Sequence, residues 1–166
     1  MKKWLVLCAG VSLICFLFGA LIHRLVPEPA IHSHHHSVPG DVLHNRTAGE
    51  TVHFRSVEAD PKTGTAILDV YLEPGGAVPV SHVHPDTDET FFVHSGRLRL
   101  VVGDTGEVME AGETRMVPRG MPHAASNPFE YAAHVEVRMS PYRNLNLALT
   151  QTHGFLDETG QDVGLR

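Results

Sequence analysis

Basic residues are scarce in this chain, and cysteine is confined to one end. Thirteen Lys and Arg stand against 19 Asp and Glu, for a formal charge of −6. Lys2, Lys3 and Arg24 flank an N-terminal apolar run, so the remainder carries ten bases against the full set of acids. A surface this acidic excludes nucleic acid as a partner, because backbone binding rests on clustered Lys and Arg. The two cysteines, Cys8 and Cys15, both lie inside the apolar run and are read as apolar filler; the rest of the chain can form no internal disulfide. With 166 residues, 42% of them apolar, there is material for one domain and an appendage, and two full domains would be crowded.

From Trp4 to Ile22 the chain has no charged residue. As a helix at about 1.5 Å per residue this run is roughly 28 Å long, close to the thickness of bilayer hydrocarbon. It has neither the small-x-small ending of a cleaved signal peptide nor a lipoprotein-style cysteine at its end. The reading is therefore a retained membrane anchor over residues 1–24, with secretion after cleavage as the alternative. Lys2 and Lys3 outnumber Arg24 and keep the N-terminus cytoplasmic, which leaves the domain extracytoplasmic, in the periplasm if the source is bacterial. Residues 25–47 combine Pro27, Pro29, Pro39 and Gly40 with a run at His32, His34, His35 and His36, and show no apolar period. They read as a solvated linker, with adventitious metal capture as the alternative.

Residues 48–141 change to short segments of alternating polarity divided by turn residues, an all-β barrel or sandwich pattern. Strands are expected at Thr51–Val57, Ala66–Glu73, Thr114–Val117 and Tyr131–Met139, with a hairpin of Phe91–Ser95 and Arg97–Val102 about Gly96. Leu68, Val70 and Leu72 share an inward face, as do Ala133, Val135, Val137 and Met139. Residues 142–166 read as a tail that packs partly on the barrel and frays at its end.

Four side chains carry the chemistry. His82 and His84 are two apart, so on an extended chain both imidazoles leave the same face. Glu89 is an odd five residues further on and faces inward only if Pro85-Asp86-Thr87-Asp88 turns the chain; Phe91 and Val93 then follow it inward. His123 reaches the same point after the Pro118-Arg119-Gly120 turn. Three imidazoles and one carboxylate suit a single divalent transition metal, with Fe, Mn, Ni, Co, Cu and Zn not distinguished, and leave coordination positions open. The same parity sends His94 and His134 away from the centre, to surface or interface positions. Phe91, Val93 and Met116 are read as barrel core, with a substrate-pocket lining as the alternative, and Asn127 as a loop hydrogen-bonding residue.

These residues resemble the cupin superfamily. Gly76, His82, His84, Glu89 and Gly96 match the spacing of its first motif, and Gly112, Pro118, Gly120, His123 and Asn127 that of its second, with Arg97–Ala111 between them. Ten such positions coincide by chance with a probability on the order of 10⁻¹². The resemblance implies a double-stranded β-helix, a jelly-roll barrel of the small type-2, quercetin-dioxygenase-like kind. It also implies a homodimer through edge strands. Its functional expectation is a metal-dependent, dioxygenase-like enzyme acting on a small oxygen-bearing organic substrate, with Glu89 as metal ligand and base. The alternative is a non-enzymatic, membrane-tethered module that binds a small ligand or the metal itself.

Overall fold

The computed structural model describes Phe18, residues 37–78, 81–145 and 147–151, and His153. The chain divides into two compact units, Met1–His34 and His35–Arg166. The expected anchor and most of the linker lie outside the described residues; Phe18 is helical, and among the described residues no helix is long and apolar enough to cross a membrane.

Among the described residues, the second unit holds nine strands. They are β1 (Val42–Asn45), β2 (Glu50–Val57), β3 (Ala66–Leu72), β4 (Asp88–Ser95), β5 (Arg97–Val102), β6 (Thr105–Glu110), β7 (Thr114–Val117), β8 (His123–Ser126) and β9 (Ala133–Ser140). Six form one sheet in the order β1-β2-β3-β9-β4-β7, and three form another in the order β6-β5-β8, with antiparallel pairing throughout. This is the expected all-β jelly roll. Alternation builds its core: Val52 and Phe54 of β2, Leu68, Val70 and Leu72 of β3, Phe91 and Val93 of β4, Leu98 and Leu100 of β5, and Val135 and Val137 of β9 are all buried between the sheets.

Three readings of the strands need correction. Val42–Asn45, assigned above to the linker, is strand β1 and pairs with β2 from Val42↔His53 to Asn45↔Glu50. Its only fully buried member is Asn45, so no apolar period marked it. Phe91–Ser95 and Arg97–Val102 do not form a hairpin with each other: β4 pairs with β7 and β9, whereas β5 pairs with β6 and β8. Gly96 carries the chain from one sheet to the other. Finally, β6 and β8 escaped notice because each is short and mostly polar or small.

Two strands carry bulges. Arg55 is the extra residue between Phe54 and Ser56 of β2, and His94 the extra residue between Val93 and Ser95 of β4. Both side chains leave the outward face of the larger sheet, and a bulge re-aims a side chain in this way without disturbing the inward set. Beyond β9, the tail is helical at Leu145 and over residues 147–151. Tyr142 is buried with its hydroxyl donating to the Glu58 carbonyl at 2.7 Å, and buried His153 meets buried Glu50 at 3.0 Å.

Gly96 adopts φ +73°, and a Cβ there would lie 2.5 Å from the Ala132 carbonyl oxygen. Both the backbone conformation and the close approach require glycine. Gly96→Ala is expected to destabilise the domain by about 2–4 kcal/mol, measured as a lower urea midpoint with an unchanged slope.

Candidate metal centre

The smaller sheet supplies His123 and the larger one Glu89, while His82 and His84 come from the connection before β4. That connection is zipped to the start of β8. His82 and His123 exchange both backbone hydrogen bonds, at 3.0 and 2.9 Å, and the Gly120 amide donates to the His84 carbonyl at 2.9 Å. His82 and His123 therefore stand side by side, with ring centroids 4.4 Å apart; those of His82 and His84 are 4.8 Å apart. The chain bends at Pro85 and Asp86, and β4 then begins at Asp88 with its register reset, so that Glu89, Phe91 and Val93 alternate inward.

One ligand atom from each of His82, His84, Glu89 and His123 falls within 4.8 Å of all the others. Glu89 Oε2 lies 2.6 Å from His123 Nε2 and 3.4 Å from His84 Nε2. The donor set fits a divalent transition metal on two further observations. His123 Nδ1 is 3.0 Å from the Met121 carbonyl oxygen, which can only accept, so Nδ1 carries the hydrogen and the neutral ring presents its Nε2 lone pair to the centre. Glu89 is a buried carboxylate whose side-chain partners are imidazoles, and among the described residues no Arg or Lys is paired to it.

Burial pushes the Glu89 carboxyl up, but hydrogen bonds from His123 and His84 outweigh it and hold the group at about 2. His123 responds in the opposite sense: burial disfavours its charge, and the Glu89 hydrogen bond with the Met121 carbonyl outweighs that, so its pKa is raised. Without metal the pair is thus a buried imidazolium–carboxylate contact.

Of the remaining expectations, Phe91 and Val93 are in the core, whereas Met116 is 54% exposed. It sits on β7, an edge strand of the larger sheet, where its alternate position faces outward. Asn127 is fully buried. Its amide donates to the carbonyls of Leu72, Glu73 and Tyr131, at 3.0, 3.1 and 2.9 Å, and its side-chain oxygen accepts from the Phe129 amide at 3.3 Å. It clamps the end of β3 to the approach to β9, and none of these four bonds is to His123. His94 and His134 point away from the centre, as parity requires. The tail was expected on the barrel, but not at this place: a cleft of about 220 Å³ beside His84 is lined by Thr87, Tyr142, Arg143, Asn144 and Leu145 among others. Arg143 holds φ +53°, unusual for a side-chain-bearing residue.

Residues 68–137 match the family model described as Cupin domain. Germin-like proteins 3-8 and 3-7 of Oryza sativa subsp. japonica are 43% and 38% identical over 77 and 81 residues. These stretches cover 43% and 44% of this chain, and about a third of each relative's length, 34% in both. Among solved structures, KdgF from Halomonas sp. superposes with a TM-score of 0.54 at 18% identity, over 63% of this chain and 90% of that one. An RmlC-like cupin from Shewanella frigidimarina gives 0.50 at 18% identity, over 66% and 92%. At these identities the structural likeness speaks for the fold. The match places a small cupin-superfamily domain over residues 68–137.

Metal binding requires a neutral His123, so the Glu89-raised pKa makes binding release a proton near neutral pH. The calorimetric enthalpy of zinc binding is therefore expected to depend on buffer ionisation heat at pH 6.5, and less so as pH rises through the His123 pKa. In the metal-free protein the depressed Glu89 pKa contributes stability above its unfolded value of 4.5, lost as pH falls through about 2. His123, raised from 6.5, contributes below that value and loses its contribution as pH rises through its folded pKa. Metal-free urea midpoints should accordingly fall on both the acid and the alkaline side.

Proposed function

We propose that His82, His84, Glu89 and His123 hold one divalent transition metal and that the domain is a metal-dependent, dioxygenase-like oxidoreductase for a small oxygen-bearing organic substrate. The observation that carries this reading is the convergence of four ligand atoms within 4.8 Å inside an apolar barrel. A bound divalent ion supplies Lewis-acid polarisation of a substrate oxygen and, if iron or manganese, a redox centre. The protein's own part is to orient the reactants, exclude water and move a proton.

His123 is fixed at Nδ1 by the Met121 carbonyl, and its Nε2 cannot swing away without breaking that bond. Phe91 approaches the His123 ring edge-on, with centroids 6.2 Å apart, and walls the centre with apolar surface that keeps bulk water out. His84 is the ligand shared with the cleft, so the substrate enters on its side, between the bend at Pro85 and the tail at Tyr142. Glu89 is the only carboxylate of the cluster. Released from His123, its Oε2 is the atom that takes a proton from the substrate and returns it, since burial then favours the protonated form.

The N-terminal run completes the proposal. Trp4–Ile22 tethers the domain to a membrane with the barrel extracytoplasmic, and the functional unit is a homodimer paired through sheet edges.

His123→Ala is expected to abolish interior metal binding, whereas Glu89→Gln retains the ion with weaker affinity and loses at least about 100-fold in turnover. Oxygen uptake by the iron- or manganese-loaded chain, across phenolic and diketone compounds, is the assay. A metal-loaded chain that consumes no oxygen with any of them would remove the oxidative reading and leave a binding module. The full chain is expected to stay with membranes through an alkaline wash, and deletion of residues 1–24 to release it; release of the undeleted chain would remove the anchor.

A further inference from the structure

The outward face of the larger sheet gathers a second set of ligand-type side chains, unrelated to the interior centre. Asp69 projects from β3, His134 from β9 and His94 from β4, three strands that lie next to one another in that sheet. One ligand atom from each falls within 4.8 Å of the other two. His134 Nε2 is 2.8 Å from Asp69 Oδ1, and His94 Nε2 is 3.5 Å from Glu136 Oε2. The His94 and His134 rings are 4.6 Å apart and inclined at 22°.

This arrangement depends on local distortion of the strand. In an unbroken ladder His134 would face His94 across the pair; instead Ser95 faces it, and the bulge leaves His94 as an added residue whose ring lies over that of His134. The other face of His134 is covered by Tyr71, 4.4 Å away and nearly parallel at 10°, and Phe92 meets His94 edge-on at 4.6 Å. Aromatic neighbours thus restrict both imidazoles. Asp69 is held as well, by the Arg55 guanidinium on both oxygens: Nε donates to Oδ2 at 2.8 Å and Nη2 to Oδ1, the oxygen that also faces His134.

We propose that Asp69, His94 and His134 form a second divalent-metal site on the outside of the barrel. Two imidazoles and one carboxylate with a solvent-facing side are the donor set of a borderline ion such as zinc, with water completing the shell. The ion replaces the contact of Asp69 Oδ1 with Arg55 and leaves the Nε contact to Oδ2 in place. The histidines need only small ring rotations, which their partly exposed positions permit: the His94 and His134 side chains are 35% and 26% exposed. The ligands lie far apart in sequence and meet only when β3, β9 and β4 are paired, so an ion here binds the folded chain alone and ties the three strands together.

The test uses the full chain with the linker silenced by His32→Ala, His34→Ala, His35→Ala and His36→Ala. Equilibrium dialysis against zinc followed by metal analysis is expected to give about two ions per chain. Adding His94→Gln with His134→Gln is expected to lower this to about one, and adding His82→Ala with His123→Ala instead to remove the other. The outer double variant should also lose most of its zinc-dependent rise in Tm while melting like its parent in chelator. Retention of both ions by the outer variant overturns the proposal, as does a parent that holds a single ion lost with His82→Ala and His123→Ala. Should the double variant fail to fold, His94→Gln alone, at the more exposed position, gives the same reading: unchanged zinc content with an unchanged thermal shift overturns the site.

Discussion

A carboxylate buried between two sheets has to be paired, and the Glu89–His123 contact satisfies that requirement at 2.6 Å. Glu89 belongs to the larger sheet and His123 to the smaller, so the contact also joins the two layers at the point where the chain bearing His82 and His84 crosses between them. Other features of the site serve this contact. The bend at Pro85 and Asp86 sets Glu89 inward, the exchanged backbone bonds of His82 and His123 fix two imidazoles side by side, and the Met121 carbonyl sets which nitrogen of His123 faces the centre. Without a cation the two groups neutralise each other, which is why the carboxyl is held so low although burial opposes its charge. A metal would take over the role of the imidazolium proton, and its affinity is coupled to pH for that reason.

The larger sheet puts opposite chemistries on its two faces. Inward, Phe91, Val93, Val135 and Val137 pack the core beside Glu89. Outward, Arg55 lies between Asp69 and Glu136, Arg138 adds to Glu136 at 2.6 Å, and the histidines stack at the centre of the network. Strict alternation separates the faces, and the bulges at Arg55 and His94 adjust the outer one without moving a core residue. The same period of two that brought three histidines to the interior thus gathered two others outside.

Parity along β4 and β9 predicted the inward sets and the exclusion of His94 and His134, because alternation is a local property of any paired strand. The convergence of His82, His84, Glu89 and His123 was legible for the same reason, once the bend before β4 was included. What failed were the statements about partners. Adjacent segments about Gly96 suggested a hairpin, but the chain changes sheets there, and nothing within Phe91–Val102 reports that β9 and β8 arrive later to take the neighbouring positions. Asn127 looked like a loop residue. It is one, yet its amide satisfies three carbonyls from two other segments, which no local pattern could reveal.

By itself, then, the sequence determined which side chains share a face, where the chain must turn, and that four ligand-type residues can meet at one point; these follow from strand period and turn chemistry over a few residues. Only the tertiary structure decided which strands become neighbours, that the tail lies against the His84 side of the centre, and that Asp69 joins His94 and His134 on the outer face. Those outcomes depend on pairing between residues tens of positions apart. The burial of the whole apolar set selects that pairing, and no single segment encodes it.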